Sequence, residues 1–395
     1  MSEAFTYGVE EEFLLLSRSR LSVSSRNRDD IVSAINKDIG GSRCSKEFYA
    51  YQIETITDPC SDRMTLLSQL KVNREALLEV SARFDEIPLA TGLLPERMSG
   101  WDEITDSAKY GSIIDRHPEY TMFGGGGMSA LHVHVAVPAD IDRIRILNSI
   151  LPMVPVFIAL AANSPIFDGS VGAFLSMRRA VLSAIPRFGF NPPFRRYEEY
   201  ELWQSRYLKS GIIARPGELW WMVRPSQSYP TIELRAPDTC RSPLLAAALA
   251  ALFRCLVIAG CRSDGASEPM ASELSVLEES CRQAARYGVR ARLPDPMAIP
   301  LELATLVRNC LSQLQPIAAE FGHDDDFGFI AHAVTGNEAA LRTIEAWELY
   351  QDGLTEAGRK KFFDTLTVTA DTQWSVYDDG RRRRPAENIP TAETK

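Results

Sequence analysis

Four short segments of this chain share one alternation of residue types, and it restricts the fold more than any other feature. Successive residues of a strand point to opposite faces, so each segment divides into two sets. In TYGVEEEFLLL, Tyr7, Val9, Glu11, Phe13 and Leu15 fall on one side and Gly8, Glu10, Glu12, Leu14 and Leu16 on the other. In FYAYQIETIT, one set is Ala50, Gln52, Glu54 and Ile56. In LHVHVAVP, apolar Leu131, Val133, Val135 and Val137 oppose His132, His134 and Ala136. In TIELR, Ile232 and Leu234 oppose Thr231, Glu233 and Arg235. Each segment therefore predicts a strand with an apolar back and a front bearing carboxylate, imidazole or guanidinium. United in one sheet, the four fronts form a single polar surface. One such face alone would be read as solvated; four together point to chemistry.

Carboxylates crowded on one surface repel each other and are costly to bury unless a cation neutralises them. Glu10, Glu12, Glu54 and Glu233 thus imply bound metal. Donors rich in oxygen with one or two imidazoles favour Mg²⁺ or Mn²⁺ over zinc, and those ions commonly accompany a nucleoside triphosphate. Arg235, beside Glu233, then suits phosphoryl oxygens, whose geometry the guanidinium fork matches. A second reading treats His132 and His134 as two zinc ligands of a metal-dependent hydrolase. The chain has five histidines, so further imidazole ligands are scarce. Gly124 to Gly127 lack P-loop spacing and predict a mobile loop ahead of the His132 strand, able to act as a lid. Neither G-x-S-x-G nor G-x-G-x-x-G occurs.

The rest of the chain is ordinary for a globular protein: 395 residues, 45% hydrophobic and 24% charged. Length alone suggests two or three domains. Because the functional strands run from Glu10 to Glu233, a single catalytic domain over 1–377 is expected instead, sheet-bearing to about 240 and mainly helical from 241 to 377. A polar flexible tail, 378–395, follows, with the basic run Arg381 to Arg384. Strand and helix patterns mix irregularly, which predicts an α+β fold. Helices are expected from Asp62 to Phe84, after an Asp140 cap, and through most of Pro243 to Thr369, with breaks at 264–269, at Pro294 and Pro296, and at 323–326. The apolar run 244–260 contains Arg254 and is short for a membrane span, so a buried core or subunit-interface helix is expected. A net charge of -9 gives no footprint for nucleic acid or anionic membrane. Seven cysteines without a CxxC pair predict reduced thiols, and the N-terminus has no signal-peptide pattern, so a cytoplasmic protein is expected.

The segments GVEEEF at 8–13, IETITDPC at 53–60, LHVHVAVP at 131–138, NSPIFDG at 163–169, SMRR at 176–179 and VRPSQSYPTIELRAPD at 223–238 together resemble the carboxylate-amine ligases of the glutamate-cysteine ligase type 2 family. The resemblance implies a fold similar to the glutamine synthetase catalytic domain: a curved, mostly antiparallel sheet with helices on its convex face. It implies ATP-dependent amide formation through an acyl phosphate, with small-molecule carboxylate and amine substrates and a homodimeric or larger assembly. Glu10, Glu12, Glu54, His132 and Glu233 match the positions that hold divalent ions. Arg235 and Arg178 match arginines at the transferring phosphoryl group or substrate carboxylate. Arg224 and Ser226, with His134, are expected on the nucleotide side.

The chain departs from the family at several polar positions. Leu94 stands where a histidine is usual, Lys109 where an arginine precedes a tyrosine, Ser170 and Val171 in place of an Asp-Thr pair, and Met222 in place of an acid. Retained metal and phosphate positions beside altered peripheral ones imply ligase chemistry with a changed substrate pocket. A noncatalytic nucleotide-binding relative is the other reading of the same pattern.

Overall fold

The computed structural model describes residues 2–23, 28–118, 127–185, 187–263, 271–294, 299–336 and 338–372. The tail 378–395, the glycines at 124–126 and the breaks at 264–269 and Pro296 fall outside these residues. The strands are β1 (Tyr7–Ser17), β2 (Cys44–Lys46), β3 (Gln52–Ile56), β4 (Glu86–Leu89), β5 (Leu131–Ala136), β6 (Ile166–Phe167), β7 (Ser170–Val171), β8 (Val223–Pro225), β9 (Thr231–Leu234), β10 (Arg292–Pro294) and β11 (Pro300–Glu302). Seven of them form one antiparallel sheet in the order β2-β3-β1-β5-β9-β8, with β4 also paired to β1. Leu14 faces both Gln52 and Leu89. Strand β1 is therefore bordered by β3 on one edge and by β5 and then β4 on the other. All four segments with the alternating pattern lie in this sheet, and β1 is at its centre.

The apolar backs find the core that the alternation requires. Tyr7, Val9, Val133, Val135, Ile232 and Leu234 are buried against the helices Arg63–Arg83 and Pro243–Arg262. Phe13, Leu15 and Ile53 pack on the helix Asp29–Ile39 and on Leu77 and Val80. Asp62 starts the Arg63–Arg83 helix, its carboxylate accepting the Thr65 N–H at 2.9 Å. The expected Asp140 cap is corrected: Asp142 accepts the Ile144 N–H at 2.8 Å, the helix spans Arg143–Ile150, and Ile141 stays outside it. Both aspartates follow Pro138, and only the geometry distinguishes them.

The apolar helix Pro243–Arg262 is a core helix. Nearly every residue from Leu244 to Ile258 is buried within the chain, Arg254 included, so its surface is not available to a second subunit and the interface reading is corrected. From Pro243 onward the described residues are mostly helical: Ala271–Tyr287, Leu303–Phe321, Asp324–Ala333, Glu338–Gly353 and Glu356–Leu366 follow. The front of the sheet is polar over only part of its length. Leu14 and Leu16, beyond Glu12 on the same face, are covered by Trp347, Phe362, Phe363 and Leu366 of the last two helices.

Glu11 sits on the back of β1, between the two front acids, and is fully buried with Arg74. Arg74 Nε donates to Glu11 at 3.0 Å, and its other nitrogens donate to the carbonyls of Cys240, Arg241 and Thr369 at 2.9, 2.6 and 2.7 Å. One guanidinium thus ties the central strand to the chain that enters the core helix and to the C-terminal segment. Removing one partner of such a pair leaves an uncompensated buried charge, which costs about 3–5 kcal/mol. Glu11→Gln is expected to lower the melting temperature by several degrees in differential scanning calorimetry. An unchanged melting temperature would show that the pair carries no such burden.

Candidate active site

The strand register turns the alternation into a two-dimensional array. Glu12 lies opposite Glu54, Glu10 opposite His132, and His134 opposite Glu233, which in turn faces Arg224 across β8. These side chains emerge on the front of the sheet, beside a cavity of about 550 Å³ lined by Glu10, Glu12, Glu54, His132, Arg224 and Arg235 from the sheet. Arg178 reaches the same cavity from the short helix Met177–Leu182.

Within it, Glu10, His132 and Glu233 each place one ligand atom within 4.8 Å of the others, and so do Glu12, Glu54 and His132. The two trios share His132. Its Nδ1 lies 3.1 Å from Glu10 Oε2, and its Nε2 is 3.7 Å from Glu12 Oε1, buried and without a hydrogen-bond partner. A buried, unpartnered imidazole nitrogen facing carboxylate oxygens has the arrangement of a ligand set for a divalent ion, and its oxygen-rich composition suits Mg²⁺ or Mn²⁺. The zinc reading of the HxH pair finds no support. His134 Nδ1 is 2.9 Å from Thr231 Oγ1, and each trio contains a single histidine.

Burial and crowding divide the acids into two kinds. Burial and the nearby charge of Glu47 push the Glu12 carboxyl up to about 8. Glu54 is held well above the usual carboxylate range by burial and by Glu47, Glu10 and Glu12. Burial also opposes ionisation of Glu10 and Glu233, but is outweighed. Hydrogen bonds with His132 and His134 hold Glu10 below its ordinary value, and Arg224 and Arg235 hold Glu233 well below. Burial, followed by the charge of Arg235, lowers His132 to about 4, so its ring is neutral near pH 7. Without a cation, part of the cluster keeps its protons; with one, those protons must leave.

The arginines are fixed before any ligand arrives. Arg224 grips Glu233 with two bonds, at 2.8 and 3.1 Å, and Arg235 donates to the same carboxylate. Arg235 Nε is buried without a hydrogen-bond partner. Arg178 donates to the carbonyls of Ala236, Pro237 and Arg235 at 3.1, 3.2 and 3.2 Å and lies 3.6 Å from buried Asp238. Asp238 also accepts from Ser164 at 2.7 Å and from Ser176, the N-cap of the Arg178 helix, at 2.9 Å. Ser226 does not line the cavity; it is buried in the turn after β8, and its neighbours Gln227 and Ser228 reach the wall instead.

Several lining residues lie outside the alternating pattern. Glu47 precedes β3; burial raises its carboxyl, and Tyr110 Oη donates to it at 3.1 Å. Arg215, Glu218 and Trp220 come from the irregular segment before β8. No periodicity marks such positions; the Lys109-Tyr110 pair was the one signal for this wall. Of the departures from the family pattern, only Lys109 lines the main cavity. Leu94 is a core residue, Met222 borders a small crevice beside Arg178 and Arg235, and Ser170 and Val171 lie in an exposed hairpin.

A model of the glutamate-cysteine ligase family 2 matches residues 6–328. A Rubrobacter xylanophilus protein, provisionally named glutamate–cysteine ligase 2-3, is 31% identical over 81% of this chain and 86% of its own length. An Ectopseudomonas mendocina protein with the provisional name glutamate–cysteine ligase 2 is 34% identical, over 64% of this chain and 66% of its own length. Among solved structures, a Francisella tularensis glutamate–cysteine ligase in complex with AMP has a TM-score of 0.62 at 12% identity, covering 93% of this chain and 90% of that one. A Pasteurella multocida bifunctional glutathione synthetase has a TM-score of 0.67 at 12% identity, covering 92% of this chain and 52% of that one. At that identity the two structures speak for the fold, an antiparallel sheet with helices.

The split among the acids gives a pH signature. Between about pH 6.5 and 8, the metal-free folded protein holds a proton on Glu12 that the unfolded chain has released, so its stability falls as pH rises, and the raised Glu54 carboxyl acts in the same direction. Glu10 and Glu233, lowered in the fold, lose their contribution only below the ordinary carboxylate range. In chelator, the melting temperature should drop from pH 6.5 to 8, and the slope should flatten in Glu12→Gln. Added Mg²⁺ should raise the melting temperature more at pH 8 than at pH 6.5, because protons compete with it. A slope equal in wild type and variant contradicts this.

Proposed function

The chain belongs to the glutamate-cysteine ligase family 2, a family of ATP-dependent carbon-nitrogen ligases, and from that premise we propose that it joins a carboxylate to an amine through an acyl phosphate, with a glutamate-like acid and an amino-acid-like amine as substrates. The observation that carries the reading is the convergence of Glu10, Glu12, Glu54, His132 and Arg235 on one cavity, with Glu233 within ligand distance of Glu10 and His132, from four strands distant in sequence. In the first step the substrate carboxylate oxygen forms a bond to the γ-phosphorus of ATP as the bond to the β-phosphate oxygen breaks, releasing ADP. In the second, the amine nitrogen bonds to the acyl carbon, and phosphate leaves with the electron pair of the broken carbon–oxygen bond. The amine's proton passes to solvent or to phosphate.

Mg²⁺ or Mn²⁺ would be held by Glu10, His132 and Glu233 and by Glu12, Glu54 and His132, and would supply positive charge that offsets the negative charge developing on the transferred phosphoryl group. Arg235, aligned by Glu233, keeps its Nε–H unpartnered and so available to the transferring group. Because its orientation is set in advance, it stabilises developing charge with little reorganisation. Arg178 is held by three carbonyls at one end of the cavity, suited to the phosphoryl group or the substrate carboxylate. Arg224 locks Glu233 and, with His134, borders the nucleotide side, where Ser226 shapes the turn. The same reading includes one catalytic domain over 1–377, a cytoplasmic location and a homodimer; seven free thiols support a reducing compartment.

A coupled ADP-release assay over a panel of acids and amines with Mg²⁺ tests the reading. ADP is expected only when a matching acid and amine are both present. Glu10→Gln and Glu233→Gln should each reduce turnover roughly a hundredfold or more, the scale of losing one electrostatic stabiliser of the reacting group. Near-normal activity in either variant would sink the metal-cluster assignment. Tight ATP binding without consumption under any pair would identify a noncatalytic relative.

A further inference from the structure

The lining of the catalytic cavity is of two unlike kinds. The sheet contributes carboxylates, His132 and the guanidiniums of Arg224 and Arg235. The rest includes a wall of hydrocarbon: Phe48, Ile113, Met128, Leu182, Phe188 and Trp220 line the cavity and belong, with buried Tyr110, to one apolar cluster. They come from the chain before β3 and β5, from the helices Ala108–Arg116 and Met177–Leu182, and from either side of the helix Tyr197–Lys209. Phe188 stacks on Trp220, with ring centroids 5.4 Å apart and planes 13° from parallel, and Phe48 meets Tyr110 edge to face at 5.4 Å. Rings packed in this way stand ready before a substrate arrives, so covering them costs little ordering.

Two observations connect this wall with the chemistry. Leu182, Phe188 and Trp220 also line the small crevice that Arg178, Arg235 and Met222 border, so the wall runs up to both arginines assigned to the reacting groups. Met222, at that junction, carries a buried thioether where the family usually carries an acid. This end of the cavity has therefore lost a negative charge that would hold a cationic or hydrogen-bonding substrate group, and has gained a surface that packs on apolar ones.

Of the three reactants, ATP and the acid bring negative charge, which Arg178, Arg235 and the two ligand trios address. The adenine ring carries hydrogen-bonding nitrogens that hydrocarbon leaves unmatched, whereas Gln227 and Ser228, in the turn after β8, offer polar groups. The amine alone must be uncharged to attack the acyl carbon, and apolar surroundings favour its neutral form. On the ligase reading above, on which this inference rests, we propose that the wall selects the amine: the second substrate carries an aromatic or bulky aliphatic group that lies against Met128, Leu182 and Phe188, in preference to a side chain as small as that of cysteine.

The ADP-release assay on the full chain tests this with phenylalanine, alanine and cysteine as amines and glutamate or 3-phenylpropionate as the acid. With glutamate, kcat/KM for phenylalanine is expected to exceed that for alanine and for cysteine about a hundredfold or more, since one methylene in an apolar pocket already gives about tenfold. Phe188→Ala should cut that preference about tenfold, whereas a merely structural defect would lower all three amines alike and leave the ratio. Met128→Ala, at a half-buried position, repeats the test if Phe188→Ala does not fold. Equal turnover of the three amines, a ratio that survives both variants, or an aromatic preference in the acid instead of the amine overturns the inference. So does a raised KM for ATP in Phe188→Ala with the amine ratio unmoved, which would give the wall to adenine. If no pair releases ADP, the ligase reading fails by itself; calorimetric titration then judges the wall, where phenylalanine binding about tenfold or more tighter than alanine supports it and equal affinity overturns it.

Discussion

Mutual repulsion among carboxylates on one face of a buried sheet is the constraint on which the rest of this structure depends. Glu10 and Glu12 are two residues apart on β1, and the register sets Glu54 opposite Glu12. Three negative charges at that spacing cannot all persist in a low-dielectric cavity. The fold answers with counter-charges on Glu233, from Arg224 and Arg235, with hydrogen bonds between Glu10 and the two imidazoles, and with retained protons on Glu12 and Glu54. The carboxylates are thus held short of full ionisation, which a bound multivalent cation would complete.

The back of the same strand faces the opposite demand. It must anchor the array, whose register the ladders to β3, β4 and β5 set. Glu11 and Arg74 pin it at one point to the carbonyls around Cys240 and to Thr369. A buried ion pair of this kind contributes little net stability, since desolvation offsets most of its attraction, yet it is expensive to break. Its value here is positional: the residue between two candidate ligands is the one fixed to the scaffold.

The strand pattern made much of this legible. Alternation identified the four strands, separated Glu10 and Glu12 from Glu11, and gathered Glu54, His132, Glu233 and Arg235 onto one surface, because a period of two follows directly from backbone geometry. It could not reveal that Leu14 and Leu16 lie under Trp347 and Phe362, since an apolar residue on a face does not announce which distant helix will cover it. Glu47, Arg215 and Trp220 were invisible for another reason: irregular segments place side chains by their individual turns, without a repeat. Arg74 sits mid-helix, and nothing in its own neighbourhood foretells a partner 63 residues away. The family resemblance pointed to Arg178, Arg224 and Ser226, yet only the structure separates the first two, at the cavity wall, from the third, buried behind it.

The single histidine common to both ligand trios has one more consequence. Ions held by the two trios would not be independent tenants: each must accommodate the ring position and the lone pair that the other requires. Loading would then proceed in sequence, because a neutral imidazole offers one free lone pair and the charge of the first ion opposes the second. The second ion would bind more weakly than the first, and full occupancy would rise less than proportionally with the concentration of free divalent cation.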